Sequence, residues 1–538
     1  MKYRTFVIVL SFIVFGSGVG LNVYAQTKKA ANPSPVKKVE EKPVEIAFPD
    51  ATVGRLYVFS GPRFINSTAP CKVSIVSGNL PSGLAINQKT GNIEGQPDKQ
   101  GVWKIVLSVT DSKSKKEIFS GTIQVWRMLS IGEHGQFKGS NGFQMALNIT
   151  QDMDEIRIEK GIIEVSGLAI PGNKEWDSGI KISGGWNETF GEKSNKPEDT
   201  VLDGGGKENR ILSIFNKKDE VLIENLIFRN SSGGAVGGVA TFNNCVFIKN
   251  SGGAVNGGRR FYNCTFENNS ATNGGAVNSD SNVYNMFINC KFINNLAEGG
   301  SYWTGGSSGG AVYGIGYFSY CVFRNNSTIG RSIGGGAVYG NSLFNECTFE
   351  NNSASTDGGA VYGYSNFKNC TFENNSATNG GAVYNDRAFV KGLVLGNGAF
   401  TNCTFTNNSA INGGAYSGNG VFINSTFYSN KAKINGGAFF GGGNIINSIF
   451  YKNTAAEKDN DITAEGDISV DYSLVNYLGG AANVGSKIIM GDPKFVDPDN
   501  GDFHLRPDSP CIGKGKDAKD LGCSPVGQVG VKRQPDKK

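Results

Sequence analysis

Histidine is almost absent from this chain: His134 and His504 are the only two in 538 residues. The sequence therefore offers no clustered imidazoles for acid–base work or metal ligation. No Cys-x-x-Cys step occurs, which removes the usual spacing of a thiolate zinc site. After residue 25 no stretch reaches the roughly 20 apolar residues of a membrane-spanning helix, and no helical apolar period runs for any length. Positive charge is scarce where a nucleic-acid binder would need it. Of the net +5, residues 1–25 carry +2, 26–45 carry +2 and 514–538 carry +4, so the body holds −3 and has no basic stripe.

Glycine, by contrast, is abundant, with 76 residues, and much of it is periodic. The step Gly-Gly-Ala occurs nine times, beginning at Gly233, Gly252, Gly274, Gly309, Gly335, Gly358, Gly380, Gly413 and Gly436, each followed by Val, Tyr or Phe. A second step, Phe-x-x-Asn, interleaves with it from Phe247 to Phe450. Self-similarity at roughly 20 to 35 residues indicates a stacked array. From the fourth residue of Gly-Gly-Ala-x to the next Cys or Ser is nine residues in seven of nine copies, whereas the return interval varies. A constant part and a variable part predict a rigid wall and a face of loops.

Within the constant part, Cys370 and Phe372 are two apart and share one strand face. Phe367 has the wrong parity, so a bend at Asn369 is required to turn it inward as well. Asn holds this bend in seven copies, Asn244, Asn263, Asn289, Asn369, Asn402, Asn424 and Asn447, and Asn tolerates left-handed backbone angles. Sheet, bend, sheet, Gly-Gly corner and third sheet make one coil of a parallel β-helix about 4.8 Å high. Identical residues then stack as ladders of Phe and of Asn. The expected fold is all-β: a right-handed parallel β-helix over residues 127–513, with its repeat core at 225–455, behind a smaller domain.

That smaller domain spans 46–126, where alternating runs such as Trp103–Val109 and Phe119–Val125 are broken by Gly and Pro turns, the pattern of a β-sandwich. Ahead of it, Lys2, Arg4, the apolar run Phe6–Phe15 and Val23-Tyr24-Ala25 read as a signal peptide cleaved after Ala25. Residues 26–45 read as a charged, proline-bearing linker and 514–538 as a polar tail. The helix-like piece at about 142–151 is placed to cap the open end of the coil.

The string Leu80-Pro81-Ser82-Gly83-Leu84 with Thr90-Gly91-Asn92-Ile93-Glu94-Gly95 and Gly101-Val102-Trp103 resembles immunoglobulin-like modules of bacterial surface proteins. The alternating Gly-Gly-Ala-Val and Phe-x-x-Asn steps resemble the repeats of the polymorphic outer membrane proteins. That resemblance implies a pectin-lyase-like β-helix displayed at a cell surface and acting as an adhesin. Gly491-Asp492-Pro493 through Cys511-Ile512-Gly513 looks like the closing coils of secreted bacterial β-helix proteins, and the polar ending lacks the membrane barrel of that family's autotransporters.

Cys245, Cys264, Cys290, Cys321, Cys347, Cys370 and Cys403 fall on one inward position per coil, and Ser425 and Ser448 take the same slot later. They read as small buried residues rather than as disulfides or a metal site. Cys511 and Cys523, twelve apart near the end, are the disulfide candidates. For catalysis the fold would need a local cluster of carboxylates with an Arg on one wall. Glu267, Glu350 and Glu373 are expected to align outside adjacent coils, but their repetition is unlike an active site. No catalytic residue, metal ligand or cofactor is assigned. Asp492, Asp497, Asp499 and Asp502 could bind calcium, and Asp-Pro and Asp-Asn turns explain them equally well.

Binding is expected where the repeat is interrupted, at 296–308, with Tyr302 and Trp303, and at 385–398. The expected function is an exported, secreted or cell-surface repeat protein, which the family resemblance places at the outer membrane, that binds a host or neighbouring-cell protein or glycan or serves as a structural surface element. No nucleic-acid partner and no catalysis are expected. The alternative is a polysaccharide lyase or glycoside hydrolase on the same coil.

Overall fold

The computed structural model describes residues 42–61, 68–173, 176–215, 221–279, 284–298, 307–330, 332–385, 398–456, 461–479, 483–485 and 487–523. The signal segment, most of the linker, Tyr302, Trp303 and the end of the tail lie outside them.

The repeat closes into coils as the parity of its residues requires. In one coil, Val361–Tyr362 and Asn366–Lys368 lie on the long sheet, Thr371–Glu373 on a second sheet, and Ser376 bridges to Ser353 and Ser409 on a third, short wall. Neighbouring coils pair in parallel, and the Phe-bearing strands are in register, Phe349 beside Phe372 and Phe344 beside Phe367. The bend is left-handed at all seven asparagines, with φ between 51° and 55°. Phe367 is thereby turned inward, and its ring meets Phe372 edge-on at 5.2 Å. Along the axis the Phe372 ring stacks on Phe349 at 4.8 Å and on Phe405 at 4.7 Å. A second left-handed corner, at Asn268, Asn294, Asn325, Asn351, Asn374 and Asn407, precedes the ladder asparagine and was not foreseen from the sequence.

The Gly-Gly corner admits no side chain. Gly358 has φ of +64°, and a Cβ on Gly359 would strike the carbonyl oxygen of Gly381 in the next coil.

The inner asparagines form one continuous column. Each Nδ2 donates to the Oδ1 of the next coil, from Asn250 through Asn269, Asn295, Asn326, Asn352, Asn375, Asn408 and Asn430 to Asn453, at 2.9 to 3.0 Å. The other Nδ2 hydrogen goes to a Phe carbonyl, as Asn375 to Phe349 at 3.0 Å. Each buried amide is satisfied, so the column costs little desolvation. It ends on a carboxylate: Asn453 Nδ2 donates to Asp461 Oδ1 at 2.9 Å. Burial pushes the Asp461 carboxyl up to about 6, while Asn453 and the Asn476 and Tyr477 amides pull it back.

The seven ladder cysteines are buried and free. Their thiols donate to backbone carbonyls, Cys264 to Tyr262 at 3.3 Å, as small interior residues would.

At the front, Gly139–Ile149 forms the expected cap, with Phe143, Ala146 and Leu147 inside the common core. The sandwich packs sheet Tyr57–Phe59, Ile93–Gly95 and Leu84–Ile86 against a sheet built on Gly101–Thr110 and Lys116–Ile131. Val44–Glu45, inside the stretch read as linker, already pairs with Phe119 and Ser120, so the domain starts earlier than expected. No linker separates the two domains on the other side. Lys116–Ile131 runs through the expected boundary at 126, pairing with Gly101–Thr110 at one end and with Asp154–Glu159 of the first coil at the other.

Two expectations fail at the far end. Phe495–Asp497 and Asp502–Leu505 do not close the coil as further rungs. They form an antiparallel hairpin, and Phe495, Phe503, Leu505, Cys511 and Leu521 pack with Tyr428, Ile449 and Leu474 on the outer side of the second sheet. No disulfide joins Cys511 and Cys523. The segment carries Cys523 past Cys511 until its Sγ lies 3.0 Å from Thr404 Oγ1, while Cys511 is sealed in the apolar cluster.

Candidate functional site: a tyrosine-faced wall and a buried charge cluster

Alternation along a strand sends every second residue of the long sheet outward. After each Gly-Gly-Ala corner the inward Val312, Val338, Val361 and Val383 are buried, which leaves Tyr313, Tyr339, Tyr362 and Tyr384 outside. Their rings form a ladder, with centroids 5.2, 5.0 and 5.4 Å apart. Further along the same sheet, the inward Phe287, Phe318 and Phe344 put Met286, Ile288, Tyr317 and Leu343 outside. Tyr284 is 48% exposed, Leu343 43% and Tyr320 55%. Tyr262 donates to Met286 Sδ at 3.7 Å. The result is a broad outer face rich in Tyr, with Met286 among them, a composition of the kind that marks protein interfaces.

One departure from the repeat sits at the edge of this face. The bend position is Tyr320 and Glu346 in the two successive copies where Asn is missing, and both still take left-handed angles, φ 55° and 53°. Hydrogen bonding to the Glu346 carboxylate, with the charge beside it, raises the Tyr320 phenol above its usual range.

Of the expected binding loops, Tyr302 and Trp303 lie outside the described residues. The segment 386–397 leaves from Asn385 and returns at Gly398, and the flanking strands Val383–Asn385 and Gly398–Thr401 both belong to the tyrosine-bearing sheet. Sequence reasoning placed the weight on the interruptions. It passed over the outward Tyr that follows Gly-Gly-Ala-Val, although parity and the missing bend asparagines would have pointed to it.

The carboxylate row is corrected. Glu350 and Glu373 are neighbours, but Ile293 and Arg324 intervene between Glu267 and Glu350. Arg324 Nε pairs with Glu350 at 3.0 Å. The repeat places Glu only where a coil happens to carry it, because an outward site has no packing constraint to enforce identity.

A cluster of mixed charge does exist, in the first coils, where no repeat is present. Lys181 and Ser183 stand outward beside Glu155 and Arg157 of the preceding rung, and Ser183 pairs with Glu224 of the following one. Lys181 Nζ is 3.3 Å from Glu224, 3.7 Å from Glu155 and 4.0 Å from Asp50 of the sandwich. Lys193 also pairs with Glu224. Arg157 bonds Glu155 at 2.8 Å, Thr52 Oγ1 of the sandwich at 2.5 Å and the Phe190 carbonyl at 2.8 Å, and lies over the Trp186 ring at 3.9 Å. Burial alone would lower the Lys181 pKa, but Glu155, Glu224 and Asp50 outweigh it and raise it. Lys181 therefore stays an ammonium, unable to accept a proton near neutrality.

His134 and His504 do not approach each other's sites. His134 Nδ1 is 2.7 Å from Glu159 and His504 Nδ1 is 2.6 Å from Asp502. Asp499 accepts from Tyr428 at 2.7 Å and Asp497 from Asn500 at 2.8 Å. Among the described residues no group of three or more His, Cys, Asp or Glu is arranged to hold a metal ion.

Residues 263–280, 346–364 and 369–386 match the Chlamydia polymorphic membrane protein repeat, and residues 28–125 match the family described as Putative Ig domain. The chain thus carries both elements. No curated protein matches it. Among solved structures, the PL6 family alginate lyase AlyGC aligns at 14% identity over 76% of this chain and 59% of that one, with a TM-score of 0.43. The chain thus spans 59% of that enzyme's length. Pectate lyase Pel9A aligns at 13% identity over 74% and 96%, TM-score 0.32. An alginate lyase from Paenibacillus sp. str. FPU-7 aligns at 12% over 66% and 99%, TM-score 0.27. At these values none of the three speaks to activity. Among the described residues no helix is long and apolar enough to cross a membrane.

Proposed function

We propose that this chain is an exported, surface-displayed or secreted scaffold that binds a partner through the tyrosine-faced wall and catalyses no reaction. The observation that carries the reading is that face, where Tyr284, Tyr320 and Leu343 stay 48, 55 and 43% exposed beside Met286 and Tyr317. A folded protein seldom leaves such a contiguous patch to water without a use for it.

The wall favours a protein surface over a glycan as partner. Sugars bind to aromatic faces, whereas Tyr313, Tyr339 and Tyr362 stack at interplanar angles of 4° and 14° and cover each other's faces. What remains outward is ring edge and hydroxyl, with Met, Ile and Leu alongside. The continuous strand Lys116–Ile131 makes the sandwich a stiff extension that would hold the wall away from an attachment point.

Lys181 and Arg157, with Glu155, Glu224 and Asp50, assemble the charges an enzyme of this fold would need. Their burial under the sandwich and mutual pairing favour a domain lock instead. A base must be free to take a proton, and Lys181 is held charged.

The test is binding of purified protein to intact cells, before and after protease treatment of their surface, alongside a glycan array. The Tyr317→Ser/Leu343→Ser variant should lose about tenfold or more of the cell binding, as removal of interface anchors does, while keeping the β-rich circular dichroism. Unchanged binding by that variant rules out the wall. Release of unsaturated or reducing sugar from acidic polysaccharides would overturn the non-catalytic reading.

A further inference from the structure

The second sheet changes character where the C-terminal hairpin lies on it. One outward column holds Glu350, Glu373 and Thr406 in the repeat and then turns to Tyr428 and Tyr451. The corner that follows is a left-handed Asn in six of the coils, whereas the last coil under the hairpin places Lys452 there, with φ of 56°. Between these residues and the hairpin lies a cavity of about 160 Å³, walled by Tyr451, Phe495 and Pro498 and carrying Lys452, Lys494, Arg506 and Asp492. It is small beside the roughly 300 Å³ at which most ligand pockets begin, so it admits one ring and not a chain of them.

The three cations reach the cavity from two sides. Lys452 stands on the coil, while Lys494 and Arg506 face each other across the hairpin, where the Arg506 amide donates to the Lys494 carbonyl at 2.9 Å. Lys452 is held in place. Its ammonium lies 5.3 and 5.8 Å from the Tyr428 and Tyr451 ring centres and donates to Tyr428 Oη at 3.0 Å. That hydroxyl donates onward to Asp499 at 2.7 Å, so Lys452 meets this carboxylate only through the phenol. The Arg506 side chain reaches the Val496 carbonyl at 3.4 Å. Among the described residues neither Lys452 nor Arg506 pairs directly with a carboxylate.

The acids present leave a surplus. Lys494 pairs with Asp508 at 2.8 Å, and Asp492 accepts the Lys494 amide at 2.8 Å. Three cations against Asp492 and Asp508 leave one positive charge, which a monoanion balances and a dianion exceeds. The guanidinium presents the planar pair of donors that a carboxylate accepts. Apolar walls with a few convergent polar groups are the usual make-up of a small-molecule site.

We propose that this cavity binds a monocarboxylate borne on a small ring, with Arg506 and Lys452 holding the carboxylate and Tyr451, Phe495 and Pro498 covering the ring. A sugar acid and an aromatic acid share this chemistry. The site belongs to the hairpin and the second sheet, so it stands or falls apart from the tyrosine wall of the long sheet.

Ligand-observed saturation-transfer NMR on the full chain tests it, with glucuronate and benzoate as probes and inorganic phosphate as a competitor. At least one acid should bind, and phosphate should displace it only at about tenfold or more the concentration at which the free acid does. Binding of glucuronate alone assigns a sugar acid, of benzoate alone an aromatic acid, and of both the shared carboxylate chemistry. Arg506→Gln should weaken binding by about tenfold or more, as loss of a charged hydrogen bond does. Lys433→Gln, on the third wall within Lys431–Asn435, should leave it unchanged. Cys511, with 0% exposure, reports whether the hairpin stays seated: it should remain closed to maleimide in Arg506→Gln. If it opens, Lys452→Met, on the coil side, takes that variant's place with the same expected loss. Absence of binding by both acids, displacement by phosphate at equal concentration, or full binding by a variant whose hairpin is seated would overturn the proposal.

Discussion

The coils between residues 225 and 455 and the rungs from 154 to 224 share one sheet yet are held together in opposite ways. In the repeated coils most inward positions keep one residue type over many rungs, so that ring stacks on ring and amide bonds to amide at one spacing. In the front rungs the inward side still stacks like on like, as Ile156, Ile182 and Ile223 do, but the outward residues do not repeat. There Lys181, Glu155, Arg157, Glu224 and Trp186 make contacts available once in the molecule, including two with Asp50 and Thr52 of the sandwich. Repetition supplies a scaffold of any length, and singular contacts fix what is attached to it and where. The tyrosine wall combines both: its backbone is the repeat, but its outward side chains vary by coil.

The comparison can be broken most forcefully in the interior. Phe372→Ala removes a ring stacked on both sides and should cost about 3 to 5 kcal/mol. Glu373→Ala, one residue away and outward, should stay within about 0.5 kcal/mol. Chemical unfolding of the two variants decides; equal midpoints would mean that the ladders do not hold the coil. At the front, Lys181→Met removes the cation that Glu155 and Glu224 share, leaving Glu155 to Arg157 and Glu224 to Lys193. A loss of about 1 to 3 kcal/mol is expected, confined to the sandwich end and read as faster hydrogen exchange in Asp154–Glu159 and Ile180–Trp186.

A smaller effect sharpens the role of the column's end. Asp461 has its pKa raised from 3.8 to about 6, mainly by burial, so the folded state binds a proton that the unfolded state has released. Stability should therefore fall as pH rises from about 4 to 6, by at most about 3 kcal/mol. Asp461→Asn should flatten that slope in thermal melts, and an unaltered slope would exclude the group. The smallest effect expected is on the wall: Tyr317→Ser and Leu343→Ser should each shift stability by about 0.5 kcal/mol or less while binding collapses. A large drop in melting temperature would show that these side chains serve the fold instead.

Much of the coil was legible because it is periodic. Parity at Cys370 and Phe372 forced the bend at Asn369, and the bend is there with φ of 54°. The second left-handed corner, at Asn374, escaped notice because the ladder Asn375 beside it already accounted for an asparagine. The charged junction could not be seen. Asp50 and Glu224 are far apart in sequence, and only the packing of the sandwich on the first rungs brings both to Lys181. The C-terminal hairpin misled for a related reason: its apolar spacing suits a rung as well as a strap, and only the outer row of Thr426, Ile449 and Leu474 decides between them.

The sequence by itself determined the coil, since a ladder needs nothing but the same residue at the same place in each repeat. It determined the glycine corners and the burial of the seven cysteines for the same local reason. The tertiary structure alone decided which outward residues share a face, because in-register neighbours in the repeat lie 19 to 35 positions apart and loops of variable length hide their register. The tyrosine wall and the charged junction both depend on that register; in the wall parity and the missing bend asparagines were the only local signal, and in the junction there was none.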